Sequence, residues 1–275
     1  MTFAELFPAP KPLLACIHLL PLPGSPQYGG TMRPVYATAL AEVETLARYP
    51  VAGFVVENFR DIPFYPQRLP AETVAALATV TREIVKATPL PVGVNALRND
   101  AEAALAVAAA AEAHFLRVNV HMGAVVSDQG LLQGRSYETL RLRAALRAPV
   151  LIFADVGVKH ATPLAPRSLA TETRDVTERG LVDAVIVSGE YTGAATSLDD
   201  IATVRQHTHL PILIGSGTTP DNLPNLYSLV DGLIVGSYFK QQGKAENQLE
   251  EARVAVFAET LQAVRTSSGR RFASQ

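Results

Sequence analysis

Arg117, Asn119 and His121 occupy alternate positions in the stretch "HFLRVNVH". In an extended strand, residues two apart share a face, so the three side chains are expected to point the same way. Three polar groups on one buried face are costly unless they bind one another or a ligand. Asp155 stands where the apolar run "PVLIFADV" stops, on the same face as Phe153, and Lys159 and His160 follow in the next loop. Asp with Lys suits proton transfer, and a desolvated lysine can form a Schiff base. An ordinary surface lysine is the equally weighted alternative, because alternation does not orient loop residues. Glu57 closes "AGFVVEN", a position suited to a general base or a metal ligand. His18, inside "LLACIHLL", is either a buried histidine bonded to backbone or a member of the site. The candidate proton-transfer set is therefore Asp155, Lys159, Glu57, His121 and His18. Asn95, Asn119, Arg117 and His160 are candidate substrate contacts, together with Glu190 and Thr192 in "SGEYTGAATS".

A second kind of chemistry comes from residues with little side chain. "IGSGTTPDNL" puts Gly215, Ser216, Gly217 and Thr218 directly after an apolar run, and "GSY" puts Gly236 and Ser237 after the next. Bare backbone can approach an anion closely, so this pair of turns is a candidate phosphate cradle. Support for a metal is thinner. There is no HExxH motif and no HxH on a first strand. The "HTH" at 207–209 precedes a strand, at the wrong end for a site. A divalent-metal site built from His18, Glu57, His121 and Asp155 stays geometrically open. No other cofactor is indicated. No GxSxG elbow is present, and Cys16, on the face of His18, reads as a small core residue.

These residues need a scaffold, and the chain supplies a regular one. Eight short apolar runs recur at 13–20, 52–58, 90–96, 114–120, 149–156, 182–189, 210–217 and 231–237. Nearly continuous apolar runs are the mark of parallel strands covered on the outside by helices. Helical segments with Ala, Leu, Glu and Arg at helical spacing lie between them, several preceded by a capping residue: Asp100, Ser136, Ser168, Ser197 and Asp221. A weaker helix, "NLPNLYSL", precedes the last strand, and a long one over about 246–266 closes the chain. Eight successive βα units predict a single (β/α)8 barrel of the α/β class over 1–275, with a short N-terminal extension and a flexible C-terminal tail. A doubly wound open sheet is the alternative. In such barrels the working site lies at the C-terminal ends of the strands, which is where the candidate residues fall, and phosphate often binds after strands seven and eight. The long Pro- and Gly-rich loop "PLPGSPQYGGTMRP" after the first strand is expected to act as a lid or substrate loop.

Composition agrees with a folded domain that has a sizeable buried core. Hydrophobic residues make up 48% and charged residues 18% of 275 positions, enough for a large core. The net charge of −2 gives no footprint for a nucleic-acid partner. A lone cysteine and an N-terminus without a basic or apolar leader fit a cytoplasmic protein. Peripheral attachment to a membrane stays open, and a homo-oligomer is expected.

The motifs "HLLPLPGSPQYGG", "VENFRDIPFY", "VGVNALRNDAEAALAVA", "LRVNVHMGAVVSDQGLLQG", "FADVGVKHATPL", "AVIVSGEYTG" and "ILIGSGTTPDNLPNLYSLVDGLIVGSYFKQQG" resemble the BtpA/SgcQ family from about residue 10 to residue 260. The resemblance implies a TIM-barrel protein allied to the ribulose-phosphate-binding barrels. The family's cyanobacterial namesake is associated with photosystem I biogenesis at the thylakoid membrane, and the other branch with a sugar-metabolism gene cluster. Gly157 stands where family members often carry a polar or histidine residue, while Asp155, Lys159 and His160 keep the pattern. Two expectations emerge: an isomerase, epimerase or lyase acting on a small phosphorylated metabolite, or a non-catalytic assembly factor for a membrane complex.

Overall fold

A computed structural model describes residues 1–158, 160–189 and 196–272, with side chains described to residue 267. The chain opens with a short helix, α1 (Phe3–Leu6), and enters a barrel through β1 (Leu13–His18), α2 (Arg33–Leu46), β2 (Gly53–Glu57), α3 (Ala71–Ala87), β3 (Val92–Asn95), α4 (Ala101–Ala111) and β4 (Phe115–Val118). A hairpin of β5 (Ala124–Ser127) and β6 (Gly130–Gln133) interrupts the series before α5 (Ser136–Leu146) and β7 (Leu151–Val156). A short strand, β8 (Ala161–Pro163), then pairs with β5. The barrel resumes with α6 (Leu169–Arg174), β9 (Ala184–Val187), α7 (Leu198–Gln206), β10 (Ile212–Ile214), α8 (Leu223–Leu226) and β11 (Gly232–Val235), and α9 (Glu251–Phe272) completes it. Eight strands pair in parallel and close in the order β1-β11-β10-β9-β7-β4-β3-β2. This is the (β/α)8 barrel that the alternation of runs predicts.

Each barrel strand lies inside its predicted run, shortened at the ends. Alternation sorts its residues between two cores. Ile17, Val56, Val94, Leu116, Val118, Ile152, Val187 and Ile214 face the surrounding helices. Leu14, Cys16, Val55, Phe115, Phe153, Ile186, Leu213 and Ile234 fill the barrel itself. The stacked rings of Phe115 and Phe153, 4.7 Å apart, form a lower layer. Phe3 and Phe7, on and just after α1, close over that layer from the N-terminal end at 5.6 Å and 6.0 Å. One step further along the strands, the inward positions change from apolar to polar. That change defines the upper end of the barrel.

Asp100, Ser168 and Ser197 cap α4, α6 and α7 through side-chain oxygens, as predicted. Ser136 and Asp221 do not: Arg135 and Asn222 hold the cap positions of α5 and α8, without side-chain bonds. In place of a single regular helix over 168–180, the last turn widens into a π-helical segment, Asp175–Arg179. The closing helix begins at Glu251 rather than near 246, because the chain before it returns to form a bridge between Lys240 and Leu249.

Candidate functional site

At the upper end of the barrel, β1, β2, β3, β4 and β7 send His18, Glu57, Asn95, Arg117, Asn119 and Asp155 to the interior, all buried. Arg117 is the hub. Its Nε donates to Asp155 Oδ1 at 3.3 Å, its Nη2 to Asp155 Oδ2 at 3.1 Å and its Nη1 to Glu57 Oε1 at 3.5 Å. Asn119 Nδ2 donates to Asp155 Oδ2 at 2.6 Å, and Asn95 Nδ2 to Glu57 Oε1 at 3.0 Å. Burial alone would depress the Arg117 pKa, but Asp155 and Glu57 outweigh it and the net shift is upward. The guanidinium is thus a fixed positive charge shared by two carboxylates.

His18 joins from the β1 side. Its Nε2 is 3.7 Å from Glu57 Oε2, its Nδ1 is 3.1 Å from the Ala245 carbonyl oxygen, and its ring stacks on Phe59 at 4.4 Å. His18 is thus bonded to backbone and at the same time lies beside Glu57.

Above this layer lies a cavity of about 540 Å³ lined by Glu57, Asn95, Arg117 and Asn119 together with Phe59, Phe64, Leu97, Arg98, Asp128, Gln129 and His160. Its volume suits a small metabolite. Asn119 Oδ1 is buried with no hydrogen-bond partner among the described residues. His160 reaches the rim, as its loop position suggests. Lys159, Glu190 and Thr192 lie outside the described residues.

His121 is a correction. Strand pairing ends at Val118; Asn119, one residue on, still turns inward, but by position 121 the alternation no longer holds. Its Nε2 donates to the Gly180 carbonyl at 2.8 Å, outside the barrel and away from the cavity lining. Burial depresses its pKa, which favours the neutral ring in this position. The metal set His18, Glu57, His121 and Asp155 falls with it.

The glycine-rich turns fall opposite. After β9 and β10 the buried hydroxyls of Ser188, Ser216 and Thr218 have no hydrogen-bond partner among the described residues. A Cβ on Gly215 would lie 2.5 Å from Ser188 Oγ and 3.1 Å from Arg117 Nη2, so only glycine lets this turn close against the arginine. Asn222 shapes the rest of the turn: its Nδ2 donates to the Gly217 carbonyl at 2.8 Å, and its Oδ1 accepts from Thr219 N–H at 2.9 Å. Gly236 adjoins the β1 side instead, where a Cβ would sit 2.9 Å from His18 Nε2. Ser237 opens a single 3-10 turn after it. The two Gly-Ser turns thus have different neighbours: one abuts Arg117, the other His18.

The loops after β1, β2 and β3 are bound together. Asn58 Nδ2 donates to Asp61 Oδ2 at 3.0 Å and to the Leu97 carbonyl at 3.2 Å, while Leu22 N–H donates to Asp61 Oδ1 at 2.7 Å. Thr73 Oγ1 donates to the Pro23 carbonyl at 2.6 Å. The β1 loop, expected as a lid, is anchored at this end.

Sequence reasoning passed over several lining residues. Phe59, Phe64, Asp128 and Gln129 sit in loops, where period-2 reasoning does not apply. The hairpin carrying Asp128 and Gln129 has a readable signal in "AVVSDQGLLQ", two β-rich halves around a polar turn.

A family model described as "BtpA family" matches residues 9–263. The chain belongs to the BtpA family. An uncharacterised protein of Thermococcus kodakarensis is 42% identical over 94% of this chain and 98% of its own length. The "Photosystem I biogenesis protein BtpA" of Synechocystis is 40% identical over 95% of this chain and 91% of its own. Among solved structures, phosphoribosyl anthranilate isomerase from Thermus thermophilus superposes with a TM-score of 0.57 at 11% identity, covering 92% of this chain and 99% of its own. Thiamine phosphate pyrophosphorylase from Pyrococcus furiosus gives 0.57 at 11%, covering 92% and 96%. At such identities these likenesses carry the TIM-barrel fold alone. Among the described residues, no helix is long and apolar enough to cross a membrane.

Proposed function

We propose that this BtpA-family barrel is an enzyme acting on a small phosphorylated metabolite, a sugar phosphate or phosphoribosyl compound. The observation that carries the reading is the trio of buried hydroxyls, Ser188, Ser216 and Thr218, which have no partner among the described residues, after two consecutive strands, where the turn abuts Arg117. A buried hydroxyl without a partner costs about 1–3 kcal/mol, and a bound anion would remove that cost. An isomerase, epimerase or lyase fits best, because the cavity offers Glu57 for proton transfer and amides for orientation in Asn95 and Asn119. Asp155 has both oxygens engaged by Arg117 and Asn119, so its part is to hold Arg117 in place.

The test is a thermal-shift screen of the full chain against phosphorylated sugars and nucleotides, with and without divalent metal. A ligand at a hundredfold excess over Kd stabilises by about 2.7 kcal/mol, which is a shift of several degrees. Absence of a shift with every phosphorylated compound overturns the reading.

A second reading, an assembly factor for a membrane complex, has its own observation. The exposed side chains of Val126 and Leu131 form a cross-strand pair on the hairpin, and the Synechocystis relative bears a biogenesis name. Partial recovery with membranes on cell fractionation supports it. Full recovery in the soluble fraction, unchanged by Val126→Ser, counts against it.

A further inference from the structure

Cys16 and His18 are two apart on β1 and face the barrel interior, and Glu57 is paired directly with His18 in the neighbouring strand. One donor atom from each, sulfur, nitrogen and oxygen, lies within 4.8 Å of the others, and all three residues are buried. The orientation of His18 narrows what can occupy the space between them. A carbonyl oxygen only accepts, so the ring nitrogen facing Ala245 at 3.1 Å, Nδ1, carries hydrogen. Nε2 then faces the Glu57 carboxylate at 3.7 Å, beyond hydrogen-bond length. In the tautomer that the hydrogen bond to Ala245 requires, the Nε2 lone pair and a carboxylate oxygen of Glu57 both face the space between them. A metal ion between the two groups would turn this contact into an attraction.

Three features favour the metal. A metal-bound histidine characteristically donates its other N–H to a carbonyl, as His18 does to Ala245. Glu57 Oε1 is held by Asn95 at 3.0 Å and Arg117 at 3.5 Å, so the carboxylate is fixed with Oε2 turned to His18. Bonds of about 2.0–2.2 Å would place tetrahedral nitrogen and oxygen donors roughly 3.3–3.5 Å apart, so the His18–Glu57 separation of 3.7 Å and the cluster's span of at most 4.8 Å need only a small contraction around an ion. Gly236 also keeps space beside Nε2, since a Cβ there would lie 2.9 Å from it and 3.1 Å from Cys16 Cβ. The stack of His18 on Phe59 fixes the ring plane.

We propose that Cys16 Sγ, His18 Nε2 and Glu57 Oε2 form a site for one borderline-soft divalent metal ion of the zinc class. A thiolate–imidazole–carboxylate set selects Zn²⁺ over the all-oxygen cations Mg²⁺ and Ca²⁺. The thiolate and carboxylate balance the charge of the ion, and the thiol proton leaves to solvent on binding. Because Glu57 also lines the cavity, the fourth ligand is a water or a substrate oxygen from that side. Metal binding here requires nothing of the hydroxyls after β9 and β10, so this site and the anion cradle can fail separately.

The test uses the full chain, stripped with a chelator and titrated with Co²⁺ alone, then back-titrated with Zn²⁺. Expected are saturation at one equivalent, a thiolate-to-cobalt charge-transfer band in the near ultraviolet, and intense visible d–d bands of four-coordinate cobalt. Zn²⁺ should abolish all of these. Cys16→Ser should remove the charge-transfer band. Glu57→Gln should keep the band but weaken binding by about tenfold or more. Circular dichroism and the Tm of each variant report folding. A wild-type spectrum without the charge-transfer band overturns the site whatever the variants do. So does a Cys16→Ser spectrum identical to wild type.

Discussion

Truncating Arg117 would leave Glu57 and Asp155 buried across from each other with no guanidinium between them. Arg117→Met, close in length, should cost about 3–5 kcal/mol, the penalty for breaking a buried pair and stranding its carboxylates. Urea denaturation checks this, and a loss under about 1 kcal/mol would mean that the pairs are not formed. Asp155→Asn keeps an acceptor for one Arg117 nitrogen and should be milder. In the presence of a stabilising ligand, it should reduce turnover through misplacement of Arg117 while leaving ligand-induced stabilisation largely intact. His121 makes a different contribution. Its Nε2–H donates to Gly180, its Nδ1 has no partner among the described residues, and burial holds its pKa below the usual histidine range. The unfolded chain takes up a proton near pH ~6.5, which the folded chain resists. The stability that neutral His121 contributes is therefore complete above that pH and is lost as pH falls through the folded value. A plot of Tm against pH should fall below pH ~6.5 in the wild type, and His121→Gln should flatten that fall. Parallel curves would exclude His121 as its source.

The loop after β10 carries buried hydroxyls that its own backbone and the other described residues leave unsatisfied. Thr218 is 2% exposed and its hydroxyl has no partner among the described residues, so Thr218→Val removes an unsatisfied group at nearly constant volume. The variant should be as stable as the wild type or more so, by up to about 1–2 kcal/mol, yet lose most of the thermal shift with a phosphorylated compound. Lower stability in Thr218→Val would show that the hydroxyl has a structural partner. The place of this loop was legible in the sequence, because eight apolar runs identify the seventh strand and barrels of this kind often bind phosphate in the loop after it. Inward positions were legible within a paired strand and one residue past it: Phe153 with Asp155, Cys16 with His18, and Arg117 with Asn119 all share a face as alternation requires. His121 was not, because pairing stops three residues before it. The bonds that set loop geometry, such as Asn58 to Leu97 and Asn222 to Gly217, depend on backbone conformations that no hydrophobic period encodes. The Glu42–Lys240 pair, buried at 2.6 Å, joins residues 198 apart and leaves no local signal.

As a whole molecule, the barrel is closed at one end and open at the other, and each end has its own chemistry. At the N-terminal end, Phe3 and Phe7 cover the stacked pair Phe115 and Phe153, which excludes water from below the polar layer. At the other end, the ion pairs of Arg117 lie between that apolar floor and the cavity. A low-dielectric floor strengthens those pairs and makes their disruption more costly. Along β4 the step from Phe115 to Asn119 is four residues, or about 13 Å of strand. Stability contributed at the floor and binding at the cavity should therefore separate, as distant sites without shared partners generally do. Phe7 is 5% exposed, so Phe7→Ala should cost about 3–5 kcal/mol by urea denaturation. The same variant should keep the wild-type thermal shift, in degrees, with a phosphorylated compound, and the wild-type cobalt spectrum. Loss of either at a temperature where the variant is fully folded would mean that the cap positions the site rather than only sealing the barrel.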